Sequence, residues 1–449
     1  LKKLATSDYV RDKRFQAHTV AIRTNHQKKA RWVPAHKIAG ELAKFDWSEC
    51  GLLCHNTAFD GLILSHHYDI VPAFYFDTLS MARPLFSHVI GASLDELARY
   101  LGYAGKEKKG ALDDVKGVRD LSPEQLEKLG AYNCDDVDDM WSIFRDMMND
   151  YQFPDDELRL IDLTIRAFAD PKIEVDREVA ERVRHEAAKE RGKLVKRAAY
   201  IMGVPGRGAP RMEETEKILR SDKRFEQALK DLNIKVPYKY SEKQSKKAKK
   251  DIYIPALSKD DIGFQKLQND DDKVTRDLMA ARIACKSNIN ETRAQRLLER
   301  SENGMKLPIM LNYCRAHTMR WSGGDKLNPQ NFPGLKKSDI RKALRAPRNH
   351  VIVVVDSSQI EARKIAWLAG QDDLIEDFRN DADPYSVFAS EIYGYPVSKS
   401  NPKTKQERDV GKVAILGLGY GMGHAKFRTT LEIGAMGPVV KISEAMAKQ

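Results

Sequence analysis

HVIVVVD at 350–356 runs directly into SSQIEARKIAWLAG at 357–370, and this junction decides how the chain is read. Val351 to Val355 form an unbroken β-branched run, the pattern of a strand buried on both faces. Ile360, Ile365, Ala366 and Leu368 then recur with helical spacing. Asp356 stands where the strand turns into the helix. A carboxylate there emerges from a rigid support into a cleft, as a fixed metal ligand must. Read alone, Asp356 has a commoner meaning, the N-cap of the helix that follows.

Downstream lies KQERDVGKVAILGLGYG at 405–421. Arg408, Lys412, Leu416 and Tyr420 recur every four residues, so on a helix they form one slowly turning stripe. Two cations one turn apart, then an apolar residue, then an aromatic ring suit a triphosphate followed by a base. The nearby glycines do not make a dinucleotide loop, because Met422 stands where G-x-G-x-x-G needs its last glycine and no strand precedes. No G-x-x-x-x-G-K-[ST] occurs, which excludes a P-loop ATPase.

Upstream, residues 1–150 alternate strand-like and helix-like segments. AHTVAI at 17–22 and GLLCHN at 51–56 read as strands. The segments 93–103 and 122–148 read as helices capped by Ser93 and Ser122. This is an α/β pattern. Beyond Asp155 the chain turns helical and charged, at 156–169 and 177–201, with no clear strand before about 252. KVPYKYSEKQSKKAKK at 235–250 carries seven Lys and one Glu, and reads as either a solvated loop or a phosphate-contacting arm. Residues 272–300, with Arg276, Arg282, Lys286, Arg293 and Arg296, form a further basic helical stretch.

The length of 449 residues allows about three domains. Lys and Arg number 76 against 65 acidic residues, a net charge of +11 that modestly favours a polyanionic partner. No apolar run approaches the ~18 residues of a membrane span. The five scattered cysteines indicate a reducing compartment, hence a cytoplasmic location (the host's, if the gene is viral). Cys50 and Cys54 have no second pair downstream, which argues against a zinc site.

DSSQIEAR at 356–363 resembles motif A of the DNA polymerase I family (family A), D-Y-S-Q-I-E-L-R. The 408–421 stripe resembles that family's motif B. HTMRWSGGDKLNPQNFP at 317–333 resembles the T-G-R-x-S-S…N-L-Q-N-I-P stretch that precedes motif A. HNTAFD at 55–60 and YNCDD at 132–136 resemble the second and third motifs of 3′–5′ proofreading exonucleases. The wording of 381–389 and 411–423 is most similar to bacteriophage members.

The resemblance implies an RNase H-like exonuclease domain at 1–150, a helical thumb at 151–304, part of a palm at 305–375 and part of the fingers at 376–449. The class is thus α/β plus α, an exonuclease followed by a right-hand polymerase. The implied activity is template-directed DNA synthesis with proofreading, on primer–template DNA and dNTPs, with two Mg²⁺ per active site (Mn²⁺ as a substitute). Asp356 and the carbonyl of Ser357 match metal ligands. Gln359, Glu361, Arg408, Lys412, Leu416 and Tyr420 match nucleotide-binding positions, with Glu361 lying against the place of a ribose 2′-hydroxyl. Arg320, Gln330 and Asn331 match contacts to the duplex. Asp60 and Asp136 match exonuclease metal ligands, Tyr132 the tyrosine that orients water, and Asn56 a support for the bound strand. No processivity partner can be read from these residues.

Four positions depart from the family pattern. Leu416 stands where most members carry Phe or Tyr, Met319 replaces Gly, Asp409 replaces Arg or Gln, and Tyr385 replaces the His of cellular members. The first exonuclease motif, D-x-E, and motif C, H-D-E, are not found, so the chain is expected to be a fragment open at both ends. With carboxylates missing from each site, two divalent ions are held poorly, and the fragment is expected to bind DNA weakly and turn over little. Two further readings stand beside this one: a stand-alone 3′–5′ exonuclease, and a non-catalytic DNA-binding protein.

Overall fold

The structure, a computed structural model, describes residues 4–103, 113–259, 261–287, 289–335, 338–434, 437 and 439–448. It divides into two compact units, residues 1–188 with 289–352, and residues 189–288 with 353–449.

In the first unit, Thr19–Ile22 pairs antiparallel with Arg31–Pro34, with Val20 opposite Val33. Gly51–Cys54 pairs parallel with Phe74–Asp77, so that Cys54 lies opposite Asp77. Parallel neighbours need a crossover, supplied here by the Thr57–Tyr68 helix. The expected strand at 51–56 ends two residues early, because Asn56 turns left-handed at φ 75° and opens that helix. Ser93 and Ser122 both cap as expected, each within a capping box, for the helices Leu94–Tyr100 and Pro123–Asn149. Tyr75, Met81, Phe86, Leu97, Ile143, Met147, Ile161 and Ile165 fill the core between the parallel pair and the Pro123–Asn149 and Asp155–Ala169 helices.

Among its described residues the second unit is mostly helical, with one hairpin, Tyr238–Tyr240 against Tyr253–Pro255, which encloses the short helix Glu242–Ala248. The hairpin begins before 252, in a stretch whose charge pattern hides its alternation. Phe225, Leu219, Leu229, Phe264, Leu278 and Met279 form one core. The 272–300 stretch is two helices, Lys273–Lys286 in this unit and Ile289–Arg300 in the first. Arg282 does not lie on its basic face. It is 1% exposed, over the ring of Phe225, and donates to the carbonyls of Leu219 and Leu257 and to Asp222. A second group of helices, Pro384–Tyr393, Lys405–Leu418 and His424–Glu432, packs around Val410, Val413, Ala414, Phe427 and Leu431.

The strand expected at 350–356 is not formed. Among the described residues no strand pairs with it, and Val353, Val354 and Val355 are 76%, 86% and 86% exposed. A strand exists through its ladder, so β-branched residues without a partner stay outside any sheet and open to solvent.

Candidate active sites

The exonuclease-like residues all belong to the first unit. Asp77, 4% exposed at the end of its strand, organises the turn that carries Asn56 and leads to Asp60. Its Oδ1 accepts the backbone N–H groups of Asn56 (2.7 Å) and Thr57 (3.1 Å), and its Oδ2 accepts that of Ser80 (3.1 Å). Thr57 Oγ1 donates to the Phe76 carbonyl at 2.6 Å, tying the helix start to the strand. Asn56 is thereby held exposed at the rim, and Asp60 lies one turn further, partly buried. Burial pushes the Asp60 carboxyl up to about 7, and the negative charge of Asp77 adds to the push. His55 Nδ1 meets Thr78 Oγ1 at 2.9 Å. Burial lowers the pKa of His55, against the opposing pull of the Asp77 and Asp136 carboxylates.

Tyr132 and Asp136 share one face of the Pro123–Asn149 helix, which Met140, Ile143 and Met147 continue into the core. The opposite face is pinned to the antiparallel pair Thr19–Ile22 and Arg31–Pro34 and the turn between them. A Cβ on Gly130 would lie 2.4 Å from the Trp32 ring, Asn133 donates to Thr19 Oγ1 at 3.2 Å, and Arg23 pairs with Asp138 at 2.7 Å. Asp60 is a partly buried acid whose charged form a neighbouring cation would favour.

Arg320, Gln330 and Asn331 are exposed in the same unit, on an irregular segment. The Asn328 side chain accepts the Gln330 N–H and starts the single turn Pro329–Asn331. Gly323 and Gly324 pass too close to Asn328 and Met310 to carry side chains. Beneath them Asp325 accepts the Ser7 N–H at 3.0 Å and is ion-paired with buried Arg300 at 3.0 Å.

In the second unit Asp356 and Ser357 lie exposed on this unpaired segment, not at the end of a buried strand. Asp356 is not an N-cap either. The helix begins at Ile360, and Gln359, left-handed at φ 54°, stands at its cap. Glu361 falls in the first turn, where a carboxylate is favoured by the helix dipole. Among the described residues no three Asp, Glu, His or Cys side chains come together as a metal site.

The Lys405–Leu418 helix carries Arg408, Lys412 and Leu416, but Tyr420 lies beyond its end and is 65% exposed. The helix closes early because Gly421 adopts φ 77° and Met422 N–H turns back to the Gly417 carbonyl at 3.1 Å. Gly411 lets this helix approach Pro384–Tyr393, since a Cβ there would lie 2.3 Å from the Tyr385 carbonyl oxygen. The approach places Arg408 against Asp383 and 5.4 Å over the Tyr385 ring. Sequence reasoning missed Asp383 and Asp77. The signals were present, an Asp before Pro384 and a strand-end Asp before Thr78, both helix-start patterns.

Residues 211–447 match the family model described as DNA polymerase family A. DNA polymerase I of Pseudomonas aeruginosa is 26% identical over 365 residues, covering 77% of this chain and 36% of that protein. The DNA polymerase of Bacillus phage SP02 is 27% identical over 217 residues, covering 42% of this chain and 33% of that one. The chain thus spans about a third of the length of these two relatives. The POL domain of Pol1 from M. smegmatis, solved in complex with DNA primer-template and dNTP, shares the fold with a TM-score of 0.63 at 20% identity, over 96% of this chain and 68% of that chain. The chain belongs to DNA polymerase family A. No described helix is long and apolar enough to cross a membrane.

Proposed function

We propose that this chain serves template-directed DNA synthesis on primer–template DNA from dNTPs, with 3′–5′ proofreading, in bacteriophage replication. The observation that carries the reading is the Lys405–Leu418 helix, where Arg408, Lys412 and Leu416 follow one another by single turns in a family A match. Arg408 and Lys412 bind the triphosphate, Leu416 packs against the sugar, and Tyr420 lies near the templating base. Gln359 and Glu361 border the nucleotide, with Glu361 selecting deoxyribose. Arg320, Gln330 and Asn331 touch the duplex. In the exonuclease half, Asn56 supports the strand end and Tyr132 orients water. Asp356 with the Ser357 carbonyl, and Asp60 with Asp136, would hold Mg²⁺. When bound, that ion polarises the phosphoryl group and activates the attacking oxygen. The proposed domains are those of the family: an RNase H-like exonuclease, thumb, palm and fingers, working in the cytoplasm.

The exposed, ladderless setting of Asp356 favours a second reading for these 449 residues by themselves: DNA and nucleotide binding without turnover. The test is Mg²⁺-dependent primer extension and 3′-end degradation, by this chain and by the whole product of its reading frame. In the whole product Asp356→Ala should abolish extension and spare degradation, and Asp136→Ala should do the reverse. Extension that survives Asp356→Ala contradicts the polymerase reading. Robust extension by the 449-residue chain contradicts the second.

A further inference from the structure

A guanidinium can hold an oxyanion in a fork on either of two edges. One is the side edge, Nε–H with an Nη2 hydrogen, and the other is the end edge, Nη1 with the remaining Nη2 hydrogen. In Arg408 the side edge is taken. Nε donates to Asp383 Oδ2 at 2.5 Å and Nη2 to Asp383 Oδ1 at 3.0 Å. The end edge has no hydrogen bond to a described residue. Asp383 is itself fixed, because Ser386 Oγ donates to its Oδ2 at 2.6 Å and the Asp383 carbonyl accepts the Ser386 N–H. The Tyr385 ring lies under the guanidinium, and the Gly411 contact fixes the distance between the two helices.

We propose that Asp383 is a positioning residue for triphosphate binding: it locks the side edge of Arg408 and so aims the end edge at the phosphate oxygens. The ligand class, a nucleoside triphosphate, rests on the polymerase reading. The geometry of the lock does not. Burial alone would raise the Asp383 carboxyl, but hydrogen bonds from Arg408 and Ser386 and the charges of Arg408 and Lys399 hold it below the usual carboxylate range. The lock is therefore ionised at neutral pH. Two effects of this carboxylate oppose each other. As a bare negative charge it repels a triphosphate, so removing it would tighten binding. As an aiming device it removes the rotamer freedom of Arg408, so removing it would weaken binding.

The signs differ, and equilibrium binding of dTTP and dTMP to the 449-residue chain decides between them. Asp383→Asn should weaken dTTP about tenfold and leave dTMP unchanged, since only the triphosphate meets the aimed edge. Ser386→Ala, which loosens the lock without touching its charge, should weaken dTTP in the same direction by less. Thermal midpoints report whether each variant is folded, and if Asp383→Asn is not, Ser386→Ala decides alone. Tighter or unchanged dTTP binding in the folded variants overturns the proposal while leaving the polymerase reading in place. A parent chain that binds dTTP no better than dTMP, with Arg408→Ala indistinguishable from it, overturns the polymerase reading and this inference with it.

Discussion

Asp77 accepts the backbone N–H of Asn56 at 2.7 Å across 21 residues of sequence, and this bond shapes the exonuclease-like turn. The same carboxylate caps the Thr78–Phe86 helix through Ser80. Asp77→Ala removes a helix cap and leaves buried N–H groups unpaired, at a cost of about 2–4 kcal/mol. Urea unfolding measures that loss. Degradation of a frayed 3′ end should fall with it, while dTTP binding in the other unit should not change. Equal losses in both would show that Asp77 supports the chain as a whole.

Asp60 gives the exonuclease half a pH dependence. Its carboxyl, pushed up to about 7 by burial, is protonated in the metal-free folded chain at pH 6. A carboxylate must be ionised to hold a cation, so Mn²⁺ affinity at this site should rise between pH 6 and pH 8. The sign for stability is the reverse. A pKa raised on folding favours the folded state below the unfolded carboxyl value and loses that contribution as pH rises through about 7. Asp60→Asn should flatten both trends. Mn²⁺ titration followed by electron paramagnetic resonance, at the two pH values, checks the first. Affinity that is flat with pH would remove Asp60 from the site.

Asp325 and Arg300 form a buried ion pair, with side chains 0% and 4% exposed. Removing one partner of such a pair strands the other, at about 3–5 kcal/mol. Asp325→Ala should lower the unfolding free energy in urea by that amount. It should also weaken duplex binding, because Asp325 lies under the segment bearing Gln330 and Asn331. A variant that keeps its full stability would show that the pair relaxes into solvent.

Lys246, Lys247, Lys249 and Lys250 are exposed around the end of the Glu242–Ala248 helix. If they grip the duplex backbone, replacing all four by Ser should flatten the slope of log affinity against log salt, by about one unit for each phosphate left without its lysine. An unchanged slope would show that these lysines form a solvated face with no part in duplex binding.

Legibility follows the range of the interactions. Ser93, Ser122 and the Arg177–Ile201 helix are readable because caps and apolar spacing act within a few residues. The valine run at 351–355 misleads because a strand depends on a partner that its own residues do not name. The left-handed turns at Asn56 and Gly421 cut a strand and a helix short, which moves Tyr420 off the stripe. Arg282 counts as surface charge in composition, yet it is buried by carbonyls from distant segments. Motif residues can be named singly, but the Arg408–Asp383 fork joins positions 25 residues apart with no periodic signal.

Template-directed synthesis requires that the template choose the nucleotide. A dideoxy-terminated primer–template isolates that choice from chemistry, because the ended primer cannot be extended. Its retention by the chain against competitor DNA is measured in the presence of each dNTP in turn. Only the dNTP complementary to the next template base should prolong retention, and Arg408→Ala should abolish the difference. Equal retention with all four dNTPs would contradict template-directed synthesis.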